Sequence, residues 1–170
     1  MIRVNTSTRG EFSGGGNLLN AIKKALRETM KDSKKTAAQA IKRRYLKPTL
    51  GTKPLKVSVR GLTGSLKTQG SRNPLQKFKV KPASRKNPPP KSGVFAQVLR
   101  SGGDYLSKAF FAYRDNRLFQ RESPKRLPIK YLRTVSAPSM LKVHPVSSAV
   151  ISKIETEFNK NLERQVASIL

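Results

Sequence analysis

The chain has 170 residues, which suits one domain with an appended arm, and 36% of them are hydrophobic, enough for a modest core. Thirty-six Lys and Arg face nine Asp and Glu, giving a formal net charge of +27. A compact body so charged repels itself and calls for an anionic partner or an acidic protein neighbour. With no cysteine there is no disulfide frame and no thiolate zinc site. No apolar run approaches the roughly 20 residues of a membrane span, and Met1-Ile2-Arg3-Val4-Asn5 has no apolar signal-peptide core. A soluble protein is therefore expected, with no membrane partner.

Residues 1–16 are polar, end in Gly14-Gly15-Gly16 and read as a flexible arm. Asn17 is a good helix N-cap, because its side-chain oxygen can accept an orphan amide of the first turn. Leu18, Ile22, Leu26 and Met30 follow at four-residue spacing, and Ala37, Ile41 and Tyr45 continue the stripe, predicting one long amphipathic helix. Lys42, Arg43, Arg44 and Lys47 crowd its C-terminal end, where the helix dipole favours cations, and Pro48 stops it.

Beyond Thr49 the period changes to two. Leu55, Val57 and Val59 alternate with Lys56, Ser58 and Arg60 as a half-buried strand. Residues 61–70 are punctuated by glycine. Phe78 and Val80 alternate with Lys77, Lys79 and Lys81 as a second strand. Residues 82–93, with Pro88-Pro89-Pro90 between Lys86 and Lys91, form a basic polyproline-type loop. Strands are expected at 94–100, 109–113 and 118–121, with a turn at Arg114-Asp115-Asn116-Arg117 and a loop over 123–135. Ser136 caps a short helix with Pro138 in its first turn. Pro145 opens a longer one, along which Val146, Val150, Ile154, Phe158, Leu162 and Val166 repeat every four residues.

The fold expected is α+β: an antiparallel sheet of four to five strands packed with long N-terminal and C-terminal helices, in one domain over 17–170.

No catalytic, cofactor-binding or metal-binding set emerges, and the chain is expected not to be an enzyme. The one histidine, His144, has no cysteine partner and sits beside a proline. Glu155 and Glu157 are two apart on a helix and point to different faces. Asp104 and Asp115 suit turns. Gly14-Gly15-Gly16 lacks the Gly-Lys-Ser/Thr of a phosphate loop. The basic segments say more. Residues 33–103 contain no acidic residue at all. Lys77, Lys79 and Lys81 share one strand face, Phe78 and Val80 the other. Together with Lys42, Arg43, Arg44, Lys47, Arg85, Lys86 and Lys91 they are the candidate contacts to DNA or to an acidic protein. Such a row suits a phosphate backbone, which needs charge and no sequence code. Base readout is not expected, because no helix-turn-helix, zinc-finger spacing or aromatic RNA-binding strand motif is present and the Phe and Tyr residues fall mostly on apolar faces.

Five landmarks then occur in order. They are Asn73-Pro74-Leu75-Gln76-Lys77-Phe78-Lys79-Val80-Lys81-Pro82, then Val94-Phe95-Ala96-Gln97-Val98, then Ala109-Phe110-Phe111-Ala112, then Leu118-Phe119-Gln120-Arg121. The last is Arg126-Leu127-Pro128-Ile129 with Leu132, followed by Ser136-Ala137-Pro138-Ser139-Met140. This order resembles the minor tail protein Z family, the tail completion proteins of long-tailed bacteriophages, over residues 61–141. Arg133-Thr134-Val135 departs from it, standing where the family often has a glycine. The resemblance implies a structural virion subunit in the neck, at the head-proximal end of the tail, assembled in the host cytoplasm. It also implies a homo-oligomeric ring, expected to be a hexamer, with the tail terminator, the tail tube or the head–tail connector as neighbours, and genomic DNA crossing the lumen. Phe78, Arg126, Leu127, Pro128, Ile129, Pro138 and Met140 carry the motif. For Arg126-Leu127-Pro128-Ile129 two readings stand: Leu127 and Ile129 plug a helix–sheet junction, or the segment is an intersubunit contact. A ribosomal-type or other nucleic-acid-packaging protein is the alternative that explains the charge but not the landmarks. A phage-derived bacteriocin tail shares the same physics without a genome to pass.

Overall fold

The computed structural model describes residues 2–5, 15–83, 93–112 and 116–168. It divides into two compact units. One comprises Met1–Ile41, Gly51–Gly70 and Ala137–Leu170, the other Lys42–Leu50 and Ser71–Ser136.

In the first unit, strand β1 (Ile2–Asn5) precedes helix α1 (Gly15–Arg44), whose last turn belongs to the second unit. Leu26, Met30, Ala37 and Ile41 are fully buried, as the four-residue stripe predicts, and Ala25, Thr29 and Ser33 join them. The helix begins at Gly15, so Asn17 lies inside its first turn and is not the cap. Of the arm expected at 1–16, Ile2–Asn5 is strand and 15–16 are helix, while 6–14 lie outside the described residues.

A short helix α2 (Thr49–Thr52) leads to strands β2 (Lys56–Arg60) and β3 (Thr63–Lys67). The glycine-punctuated segment therefore holds a strand, and it is the central one, in the order β1-β3-β2, antiparallel throughout. Its glycine has a packing role. A Cβ on Gly64 would come within 2.8 Å of Met30 Cγ and Sδ and 3.1 Å of Leu26 Cδ1, so only a bare backbone lets β3 lie directly on α1.

Helices α3 (Ala137–Lys142) and α4 (His144–Ala167) complete this unit. Pro138 is in the first turn of α3, and Met140 and Leu141 are buried. Along α4, Val146, Val150 and Ile154 are buried as expected, but the line then passes to Asn161 and Gln165, leaving Phe158, Leu162 and Val166 half-exposed. Helix geometry gives the reason. Four residues turn about 400°, so a strict four-residue repeat walks round the helix, whereas seven residues bring Asn161 back beneath Ile154. The buried amides meet α1: Asn161 Nδ2 donates to Thr29 Oγ1 at 3.0 Å, Thr29 Oγ1 donates to the Ala25 carbonyl, and Arg164 pairs with Glu28 at 2.5 Å.

The second unit holds two further sheets. Strand β4 (Lys79–Lys81), reached through a 3-10 turn at Leu75–Lys77, pairs with β5 (Val94–Leu99), which pairs with β6 (Gly102–Leu106). Strands β7 (Ala109–Phe111), β8 (Leu118–Arg121) and β9 (Ile129–Tyr131) form the other. The α+β class thus holds, but the expected sheet of four to five strands is replaced by three separate three-stranded antiparallel sheets. Strand pairing is not written in local periodicity, and β1, β3, β6 and β9 fell in segments read as arm or loop. In β6 the chain Gly102-Gly103-Asp104 has little strand propensity. A Cβ on Gly103 would meet the Ala96 carbonyl oxygen at 2.5 Å, next to the register shift between Ala96 and Leu99.

One apolar cluster underlies both sheets of this unit: Leu75, Val80, Val94, Ala96, Ala109, Phe111 and Leu118, with Val98, Leu106 and Leu132 against it. The chain between them is stitched by Leu75 N–H to the Leu132 carbonyl, Leu132 N–H to the Leu118 carbonyl and Asn73 Nδ2 to the Val135 carbonyl.

Candidate nucleic-acid interface

The second unit carries 20 of the 36 Lys and Arg but three of the nine acids, Asp104, Asp115 and Glu122. All the candidate contact residues belong to it. Their geometry starts at β5. Phe95 pairs with Lys81 and Gln97 with Lys79 across the β4 edge, while Val80 opposite Ala96 points into the core. Lys79 and Lys81 are exposed, flanking buried Val80, so alternation in β4 does separate cations from core. Lys77 is also exposed, but it ends the 3-10 turn and is not part of the strand. Phe78 is buried, as its place opposite the lysines requires.

The row continues at the end of α1. Leu99 pairs with Gly102 of β6 on one side, so its bridge to Tyr45 lies on the other, the β4 side. Leu46 N–H donates to the Val98 carbonyl at 3.1 Å. Arg100 then caps the helix: its backbone N–H donates to the Arg44 carbonyl at 2.9 Å and its Nε to the Lys42 carbonyl at 2.8 Å. These bonds satisfy carbonyls that a helix end otherwise leaves bare. They also explain why α1 ends at Arg44, before Pro48. From Phe95 to Leu99 β5 spans about 13 Å at 3.3 Å per residue. Lys81, Lys79 and the basic helix end therefore follow one another along one side of a single strand. Lys42, Arg43 and Lys47 are exposed there; Arg44 is half-buried, its Nε enclosed without a hydrogen-bond partner. Arg85, Lys86 and Lys91, with most of the loop at 82–93, lie outside the described residues.

The motif residues separate. Arg126, Leu127, Pro128 and Ile129 are all exposed, Leu127 by 65% and Ile129 by 40%. They plug no junction; that reading fails because the segment edges the β7-β8-β9 sheet instead of entering the cluster beneath it. Pro138 and Met140 belong to the first unit.

Sequence reasoning missed the aromatics. Phe95 and Tyr105 meet edge-on at 5.3 Å on the outer face of the β4-β5-β6 sheet, and Tyr105 is 61% exposed. On the β7-β8-β9 sheet Phe110, Phe119 and Tyr131 align across the three strands on the face away from the core. The Phe and Tyr residues are therefore not confined to apolar faces. Parity carried the signal: with Leu118 in the core, Arg117, Phe119 and Arg121 must face the other way.

Among the described residues no three His, Asp or Glu side chains come close enough to share a metal ion. A depression of about 230 Å³ in the first unit, lined by Asn17, Asn20, Lys24, Gln165 and Ser168, offers amides and one ammonium but no nucleophile–base pair. Among the described residues no helix is long and apolar enough to cross a membrane. The chain matches no family model, no curated protein and no solved structure.

Proposed function

We propose that the chain is a structural, non-enzymatic virion protein that completes the head-proximal end of a bacteriophage tail, where it supports head–tail joining and passage of the genome through sequence-independent basic contacts. The observation that carries the reading is the clustering of its landmarks. Leu75 and Val80 of the first, Val94 and Ala96 of the second, Ala109 and Phe111 of the third, Leu118 of the fourth and Leu132 of the fifth pack in one cluster. The first four landmarks and Leu132 of the fifth thus share one core, while Pro138 and Met140 of the fifth belong to the other unit. The charge has a physical use in this setting, because a ring of cationic subunits, a hexamer matching the tail, would line a lumen that DNA must cross. Contacts there would be many, weak and blind to sequence.

Leu127 and Ile129 supply the intersubunit contact in this proposal, since exposed apolar side chains just before and at the start of rim strand β9 gain by burial against a neighbouring copy, the terminator, the tube or the connector. Ile129→Asp should leave expression and melting unchanged and abolish assembly, read by size-exclusion chromatography with light scattering; insoluble protein would restore the packing role.

The deciding experiment images tails from a phage lacking this protein and mixes them with filled heads. Normal-length tails that fail to join, or join without infectivity, are expected. Normal infectious particles would remove the tail reading and leave the alternative of a nucleic-acid-packaging protein, which the net charge supports equally.

A further inference from the structure

The outer face of the β7-β8-β9 sheet combines its aromatic row with arginines in a definite geometry. The Phe110 and Phe119 ring centroids are 6.2 Å apart with planes at 29°, and Phe119 and Tyr131 are 5.3 Å apart at 40°. Arg121 Cζ stands 5.1 Å from the Phe110 centroid, and Arg133 and Arg117 Cζ stand 5.1 and 5.9 Å from that of Tyr131. Gln76 Nε2 donates to the Tyr131 hydroxyl at 3.2 Å, which anchors the ring. The described strands of this sheet, β7, β8 and β9, contain no acidic residue.

We propose that this face binds the phosphate backbone of duplex DNA through Arg121 and Arg133, with Phe110 and Tyr131 holding the guanidinium groups in place and Phe119 bridging the two rings. The proposal rests on the DNA-contact half of the function above, not on the tail assignment. A guanidinium over a ring loses rotamer freedom but keeps its in-plane N–H groups for a bidentate phosphate. The rings lean on one another and on guanidinium groups, so little open ring surface is left for a base to stack on. That favours backbone contact over the aromatic platforms that grip single strands. Duplex DNA also presents the denser charge, one per about 1.7 Å of axis. The β4 lysines belong to the other sheet of this unit.

The test measures binding of wild type, R121Q/R133Q, R121K/R133K and K77Q/K79Q/K81Q to a duplex and to a single strand of equal length, across salt. All four are first checked for an unchanged melting transition. Two lost phosphate contacts should shallow the duplex log–log slope by about 1.8, and the lysine-for-arginine variant should keep the slope but lose affinity. Between 50 and 200 mM salt that change in slope alters the ratio of affinities by about tenfold. A wild-type slope near zero would remove the DNA-contact half of the proposed function. A steep wild-type slope that falls in the β4 triple variant but not in R121Q/R133Q would overturn this inference alone. Tighter binding of the single strand, lost with Phe119→Leu, would replace backbone contact with base stacking. Full affinity in R121K/R133K would refute the role given to the rings. Binding of poly-glutamate but not of DNA would make the partner an acidic protein and overturn the proposal.

Discussion

The two units use charge in opposite ways. In the first, with six acids to 16 Lys and Arg, acids pair with cations on the helices: Glu28 meets Arg164 between α1 and α4, Asp32 meets Lys35 within α1, and Glu157 meets Lys153 within α4. The β-rich unit, smaller by sequence, carries a net +17 with three acids. Its exposed cations lie beside rings, strand edges and a helix end. Surface pairs contribute little stability, and unpaired like charges oppose compaction. An excess that does not help its own fold is best explained by something outside it. The difference teaches where to look for function: in the unit whose electrostatics folding does not account for.

That contrast can be broken at several strengths. The largest effect belongs to the β-rich core, which is small enough to be vulnerable. Leu118→Ala, at a fully buried position, should cost about 2–5 kcal/mol in chemical denaturation; a loss well under 1 kcal/mol would mean that the cluster is not holding the sheets. In the helical unit Gly64→Ala pushes a methyl against Met30 and Leu26 and should cost about 1–3 kcal/mol. A neutral result would show that α1 can back away from β3. The triple change of Lys77, Lys79 and Lys81 to Gln should move stability by less than about 0.5 kcal/mol. It should also shallow the DNA salt dependence by nearly three units. Unfolding of that variant, with unchanged slope, would invert the comparison.

The smallest effect is a titration. The Lys153 hydrogen bond holds the Glu157 carboxyl below the usual carboxylate range; desolvation opposes it, the charges of Lys153 and Lys160 add to it, and Asp32 opposes it. Because the folded value is the lower one, any stabilisation is present above the unfolded-state value and fades as pH falls through the folded one. Lys153→Ala should raise the Glu157 titration midpoint by NMR, while an unmoved midpoint would leave the pair without consequence.

The helices were legible because long stripes at helical spacing have few alternatives. Even so, the second half of α4 shows the limit: apolar Phe158, Leu162 and Val166 looked like the buried line, and polar Asn161 and Gln165 took it. A hydrophobicity pattern cannot see a buried amide whose partner, Thr29, is 132 residues away. Strands β2, β5, β7 and β8 were visible by alternation. Strand β3 was hidden by Gly64, kept bare where α1 lies against it, and by Ser65, whose hydroxyl bonds the Ser58 carbonyl of β2. Of the candidate site, Lys79 and Lys81 were readable from parity within β4. Their alignment with the helix end was not, because it depends on which strand Tyr45 bridges. The aromatic and arginine face was readable in principle, but only after Leu118 was known to be core.

Strand β4 is also the outermost strand of its sheet, and an outermost strand is a template on which another chain can polymerise. Exposed Lys79 and Lys81 make that template self-repelling, the protection by which natural sheets stay monodisperse. The same two ammonium groups that recruit a polyanion therefore act as gatekeepers against aggregation. Whatever neutralises them, whether DNA or salt at about 1 M with its screening length near 3 Å, lifts that guard. Colloidal stability of the purified protein should accordingly fall as ionic strength rises, the reverse of ordinary salting-in.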